Sequence, residues 1–242
     1  MLDGWQELIP DVKAKVFPAK PNQYLVLDDE QAEFNSSGVT YIRTPNEEYD
    51  DEAATENYLE KYTQGLEVMS SQGHIDVTNL AYWKASSQKD GNPISRALDD
   101  NPNTFWQSDG LQPHTIEVSF SKRVEIVQFA LFLSLVVDES YTPQIIKIYA
   151  GHSASDATLY KTLEVRNVNC WVVLTFEDNR PEDSLLKCQY IRMIIPVNHE
   201  NGKDTHLRGA RLYALSLKPP VDSSGVLDSF PMGALFSGFS VR

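Results

Sequence analysis

Apolar positions follow two different periods along this chain, and the change of period divides it. Across residues 53–69, Tyr58, Leu59, Tyr62, Leu66 and Met69 recur at short helical spacings. That spacing lines one side of an α-helix, and the acidic residues near its start suit the positive end of the helix dipole. The stripe has to pack on the rest of the chain or on another protein. From Leu80 to about Lys218 the period falls to two. Thr115–Phe120 alternates strictly, with Ile116, Val118 and Phe120 on one face, as in a half-buried strand. Val124–Val137 is a longer apolar run whose β-branched and aromatic content predicts strand rather than helix. Ile145–Ala150, Trp171–Phe176, Cys188–Val197 and Leu207–Leu217 add further strands, the last with Ala210, Leu212 and Ala214 facing one way. Turn formers separate them at Asp90-Gly91-Asn92-Pro93, Ser108-Asp109-Gly110 and Asn179-Arg180-Pro181. Many strands, few helices and irregular spacing predict an all-β antiparallel sandwich or jelly roll, with no solenoid or propeller repeat.

The two ends differ from this middle. Residues 1–73 read as an N-terminal extension that contains the helix. Tyr24–Leu27 and Val39–Arg43 are short strand candidates there, broken up by Pro10, Pro18, Pro21 and Pro45. Residues 74–218 form the main domain. Residues 219–242 open with Pro219-Pro220 and Ser223-Ser224-Gly225, the composition of a mobile linker. Their last thirteen residues nevertheless carry Phe230, Met232, Leu235, Phe236 and Phe239. Such an end suits docking into a groove with its terminal carboxylate captured; a frayed terminus is the alternative.

Composition narrows the function classes. Apolar residues make up 41% and charged residues 23%, ordinary values for a globular protein. No apolar run approaches the roughly 20 residues that span a bilayer. The start shows no basic region followed by an apolar core, so no signal peptide is expected. Cys170 and Cys188 are expected as buried free thiols, which points to the nucleus and cytoplasm. The net charge of −13 is uneven: residues 1–73 hold 15 acidic and 5 basic residues and so carry −10 of it. Neither part offers the basic face that phosphate binding needs, so nucleic acid is not an expected partner.

Candidate chemistry concentrates in Asn198–Arg208, a polar stretch between two apolar runs. Asn201-Gly202 is a turn signal there, because glycine accepts positive φ and asparagine tolerates it. His199, Glu200, Lys203, Asp204 and His206 surround it with both charge signs. A loop held between strands in this way presents donors and acceptors on a rigid base, although an ordinary solvated hairpin loop would look similar. Asp204, His206 and His199 raise the question of a metal. A catalytic zinc needs three protein ligands and an open position, and that constellation is not identifiable here. No Gly-rich phosphate loop, nucleophile elbow or paired-carboxylate pattern occurs, so the chain is not expected to be an enzyme or to hold a cofactor.

Three separated motifs then carry a resemblance. The first is Asp99-Asp100-Asn101 with Thr104-Phe105-Trp106-Gln107-Ser108-Asp109-Gly110 and Gln112-Pro113-His114. The second is Asp138-Glu139-Ser140-Tyr141-Thr142-Pro143. The third is Asn198-His199, Asn201-Gly202, Asp204-Thr205-His206 and Arg208. In this order they closely resemble the Doc domain, found in the small Doc subunit of the anaphase-promoting complex, across roughly residues 74–218. The resemblance implies a galactose-binding-like β-jelly roll, and a non-catalytic subunit that helps a ubiquitin ligase hold destruction-box substrates and raises processivity. It implies sharing of the destruction box with a WD40 coactivator, and docking of a C-terminal Ile-Arg tail on a tetratricopeptide-repeat subunit. Here that tail reads Val241-Arg242.

On this reading Trp83, Phe105 and Trp106 are core or core-rim aromatics. The loops at one end of the sandwich would offer Glu139, Ser140, Tyr141, His199, Asn201, Lys203, Asp204 and His206 to an extended peptide. Phe239, Val241 and Arg242 would engage the repeat subunit. The competing reading is a sugar-binding module of the same fold, which needs an aromatic platform beside Asn and Asp; Tyr141 is the candidate.

Overall fold

A computed structural model describes residues 23–28, 39–42, 51–177 and 182–215 of the chain. In chain order the elements are β1 (Gln23–Asp28), β2 (Val39–Ile42), α1 (Asp51–Ser71), β3 (Ile75–Asp76), β4 (Ala81–Ala85), β5 (Trp106–Gln107) and β6 (His114–Ser134). Then follow α2 (Leu135–Asp138), β7 (Pro143–Gly151), β8 (Thr158–Asn167), β9 (Asn169–Leu174), β10 (Leu186–Asn198), β11 (His206–Leu207) and β12 (Gly209–Ala214). The architecture is mostly β-sheet with few helices, as the periodicity predicts.

β6 organises the sheet. Its 21 residues join two apolar runs that the sequence pattern separates, carrying the strand straight through Ser121-Lys122-Arg123. The first half pairs antiparallel with β4, Trp83 opposite Val118, and with β10, Ile191 opposite Val118. The second half pairs with β12 and β9, Leu212 and Leu174 both opposite Phe129. One layer therefore runs β4, β6, β10, β7, β8 and β1, with β1 parallel to β8; the other runs β3, β12, β6, β9 and β2. Ile116, Val118, Phe120, Leu131, Ile191 and Leu212 belong to the buried core. Burial along Thr115–Phe120 alternates as expected.

The outer face of the second layer is covered by α1. Tyr62 and Met69 are fully buried there with Phe132, Trp171, Val173 and Tyr213. This is why β9 shows no alternation: all six of its residues are buried, one face in the core and the other under the helix. The Trp171 indole Nε1 donates to the Tyr62 carbonyl at 2.9 Å. Gly65 lets the helix come this close, since a Cβ there would lie 2.1 Å from Trp171 Cδ1. Glycine inside a helix costs about 1 kcal/mol relative to alanine, and close packing is its compensation here. Gly209 does the same from β12, where a Cβ would meet the far edge of the Trp171 ring at 2.5 Å.

Several expectations are refined. Val124–Val137 does not stay extended to its end: after Ser134 the chain turns into α2, and the Ser134 hydroxyl accepts the Val137 N–H at 3.3 Å. β1 and β2 are present and extend the two layers from β8 and β9. Trp106 is fully buried and Trp83 nearly so. Cys170 and Cys188 are both buried and not joined in a disulfide, and burial pushes the Cys188 thiol up to about 12. Pro10, Pro18, Pro21, Pro45, Asn179-Arg180-Pro181 and residues 219–242, including Phe239, Val241 and Arg242, lie outside the described residues.

Candidate functional site

The three sequence motifs meet at one end of the sandwich. The loop that leaves β10 is braced from beneath by side chains of the first motif. Asn198 is buried, and its amide donates to the carbonyls of Gly202 at 3.1 Å and Asp204 at 2.8 Å. Its Oδ1 accepts the Thr205 hydroxyl at 2.8 Å. Ser108 exchanges bonds with Thr205 through both backbone and hydroxyl. Gln112 donates to the Gly202 carbonyl at 2.8 Å, and His114 Nε2 lies 2.6 Å from the Lys203 carbonyl. The carbonyls of Gly202, Lys203 and Asp204 are thereby occupied, while the Asn201 and Lys203 side chains are exposed and Asp204 is half-buried.

The turn itself differs from the sequence expectation. Glu200 and Asn201 adopt positive φ, at 52° and 56°, while Gly202 sits at −54°. Gly202 is needed instead for space: a Cβ there would stand 1.9 Å from the Ser140 carbonyl oxygen. This contact presses the second motif against the third. The His199 N–H donates to the Thr142 carbonyl at 3.0 Å and closes the same seam. Glu139 also has positive φ, at 45°, where its exposed side chain is carried outward.

Between the two loops stands an aromatic stack. The Tyr141 and His206 rings are parallel within 10° at 4.1 Å, and Phe105 lies 4.2 Å from the other side of His206. His206 is therefore packed into the seam, with Nδ1 3.1 Å from Asp138. Tyr141 keeps 40% of its surface exposed. Beneath the stack, Asp138 and Arg208 form a buried pair. Arg208 Nε donates to both carboxylate oxygens, at 3.0 and 2.9 Å, and Nη2 donates at 2.8 Å. Nη1 donates to the Pro102 carbonyl at 3.1 Å.

Of the expected site residues, Glu139, Ser140, Tyr141, Asn201, Lys203, Asp204 and His206 thus share one seam. The His199 side chain leaves it, since its ring is bonded to the backbone of Val165 on β8. Burial holds the His199 imidazole below the ordinary histidine range, partly offset by the Val165 bond and the Glu200 carboxylate. The folded state thus disfavours its proton. Stability tied to His199 is complete above about pH 6.5 and is lost as the pH falls through the histidine range. Denaturation midpoints measured at about pH 7.5 and 5.5 should drop less in His199→Gln than in the parent chain. Equal drops would show that this imidazole is not the source.

Asp138, Arg208 and Phe105 were not singled out as site residues by sequence reasoning. The signal was weak: His206 and Arg208 lie two apart where β11 runs on toward β12, but Asp138 is 70 residues from Arg208. Among the described residues no three His, Cys, Asp or Glu side chains are placed to hold a metal ion.

The fold is that of galactose-binding-like β-jelly rolls. A structure of the CBM32-1 and CBM32-2 domains from Clostridium perfringens ZmpB superimposes with a TM-score of 0.54 at 13% identity, covering 81% of this chain and 42% of that one. Within that fold, residues 50–230 match the family described as "Anaphase-promoting complex, subunit 10 (APC10)", and the chain belongs to this family. It is 52% identical over 226 residues to "Anaphase-promoting complex subunit DOC1" of Saccharomyces cerevisiae, covering 93% of this chain and 89% of the relative. Against "Anaphase-promoting complex subunit 10" of Schizosaccharomyces pombe the identity is 41%, over 62% of this chain and 79% of the relative.

Proposed function

We propose that the chain is a non-catalytic subunit of the anaphase-promoting complex that receives destruction-box substrates jointly with the WD40 coactivator and raises the processivity of ubiquitination. The relatives' names support the assembly, and one observation supports the binding role. The seam between Glu139–Tyr141 and Asn201–His206 presents polar groups of both signs and a half-exposed tyrosine beside a loop whose Gly202, Lys203 and Asp204 carbonyls are already bonded. Such a surface can pair with peptide N–H and C=O groups without rearranging, which limits the entropy lost on binding. Each contact is modest, so a second receptor sharing the peptide is needed for useful affinity. Val241-Arg242, with Phe239, is proposed to dock on a tetratricopeptide-repeat subunit, its guanidinium and terminal carboxylate giving two opposite charges at fixed separation. Residence in nucleus and cytoplasm follows from this role.

The test uses the reconstituted ligase with two variants. Asn201→Gly/Lys203→Ala/Asp204→Ala removes these three side chains, and glycine keeps the positive φ at residue 201 without strain. It should keep the parent melting temperature while lowering the ubiquitins added per encounter by about fivefold to tenfold. Deleting Val241-Arg242 should lower recovery of the chain with the complex and leave the melting temperature unchanged. Parent-level processivity in the triple variant would sink the receptor reading; parent-level recovery of the deletion would sink the tail reading.

A further inference from the structure

We infer that helix α1 is a working part of the binding end, with Tyr58 acting as a positioning residue for Arg208 and, through Asp138, for the Tyr141–His206 pair. The inference rests on the binding role proposed above and adds a region outside the three motifs to it. The Arg208 guanidinium lies over two rings, 5.0 Å from the centre of Phe105 and 5.5 Å from that of Tyr58. Tyr58 is the first aromatic of the helical stripe, half-buried on α1. Its hydroxyl donates to Asn103 Oδ1 at 3.1 Å. That bond fixes the turn whose Pro102 carbonyl receives Arg208 Nη1.

Two further contacts tie the helix to the same point. The Tyr62 hydroxyl donates to the Arg208 carbonyl at 3.5 Å. α1 also abuts α2, the short helix that ends in Asp138. A continuous path of contacts therefore runs Tyr58, Arg208, Asp138, His206, Tyr141, from the outer helix to the exposed ring of the seam.

Each step has a physical reason to transmit position. A ring face attracts a guanidinium and keeps water from it, so removing one ring wall hydrates Arg208 and weakens its hold on the carboxylate. Asp138 Oδ1 accepts from Arg208 and lies 3.1 Å from His206 Nδ1, so slack in one bond reaches the other. His206 has Tyr141 on one face and Phe105 on the other. A shift of its ring moves both walls of the seam. Leu66, on the same helix, packs against the same apolar cluster around Trp171 as Tyr58 but has no ring or hydroxyl to offer Arg208 or Asn103. It provides the control for a helix that merely stabilises.

The experiment is hydrogen–deuterium exchange at 25 °C on the full chain, followed by the ligase assay. Tyr58→Ala is expected to speed exchange of residues 138–142 and 199–206 by about tenfold. Tyr58→Phe keeps the ring but loses the Asn103 bond, and its rate should fall between those of the parent and Tyr58→Ala. Leu66→Ala should lower the melting temperature yet leave those segments at the parent rate. Unchanged exchange in Tyr58→Ala, or an equal rise in Leu66→Ala, overturns the inference. In the ligase assay, loss of processivity in both Tyr58→Ala and the Asn201/Lys203/Asp204 variant supports it. Loss in the loop variant with parent-level activity in Tyr58→Ala overturns it and leaves the binding role standing. Parent-level activity in the loop variant overturns the binding role, and the exchange rates alone then decide whether the helix positions the seam.

Discussion

Replacing Asp138 with alanine is expected to destabilise the chain by about 3–5 kcal/mol, because it leaves a buried guanidinium without its carboxylate. For a chain of this size that is a fall of roughly 6–20 °C in melting temperature. Asp138 and Arg208 are 5% and 7% exposed, so little water is available to replace the lost acceptor. After the substitution, the Pro102 carbonyl is the one acceptor left to Arg208 from its present bonds. His206 loses its neighbour as well. Asp138→Asn keeps one acceptor oxygen and should cost less. The paired change Asp138→Leu/Arg208→Met should recover most of the loss, because no charge then remains to be solvated. Thermal unfolding of the three variants checks this order. A loss below about 1 kcal/mol in Asp138→Ala would mean that the pair is far better hydrated than its burial implies.

Trp171→Ala is the second large effect, at about 3–5 kcal/mol, the range for deleting a buried aromatic side chain. The indole is fully buried, 5.0 Å from the Tyr62 ring and 5.5 Å from that of Phe132. It also carries the bond to the Tyr62 carbonyl, so its loss frees the middle of α1. Limited proteolysis should then cut within residues 51–71 well before the core strands are attacked. Gly65→Ala approaches the same contact from the other side. Its new Cβ would overlap the indole, and overpacking of this kind costs about 1–3 kcal/mol. An undisturbed helix in both variants would show that α1 is held mainly elsewhere.

Much of the fold was legible because burial on one side writes itself into alternation. Ile116, Val118 and Phe120 are inward and their neighbours half-buried, and the helical stripe of Tyr62 and Met69 is the face that packs. What resisted reading was burial on both sides. β9 lies between core and helix, and β8 carries the buried Lys161 and Thr162 among apolar neighbours, so neither has a clean period. The continuity of β6 through Ser121-Lys122-Arg123 was hidden for another reason: a polar triplet inside a long strand looks the same as a turn.

The site divides in the same way. Its loop residues were visible as a polar interruption between apolar runs. The partnership of Asp138 with Arg208 was not, since nothing local at either position records a contact 70 residues away. Gly202 was recognised for the wrong property, because closeness to the Ser140 carbonyl leaves no trace in a single sequence.

The shared strand has a consequence for the chain while it is being made. β6 starts at His114, and its last partner, β12, ends at Ala214. At roughly 5–20 residues per second, that interval of about a hundred residues occupies about 5–20 s of synthesis. Until it ends, Phe129 and Leu131 sit on a strand edge with no β12 beside it. A nascent chain in that interval presents an apolar edge open to wrong pairing, and a holding chaperone would be most useful then. Messages truncated before Gly209 should accordingly yield an insoluble product, whereas truncation after Leu215 spares every strand among the described residues.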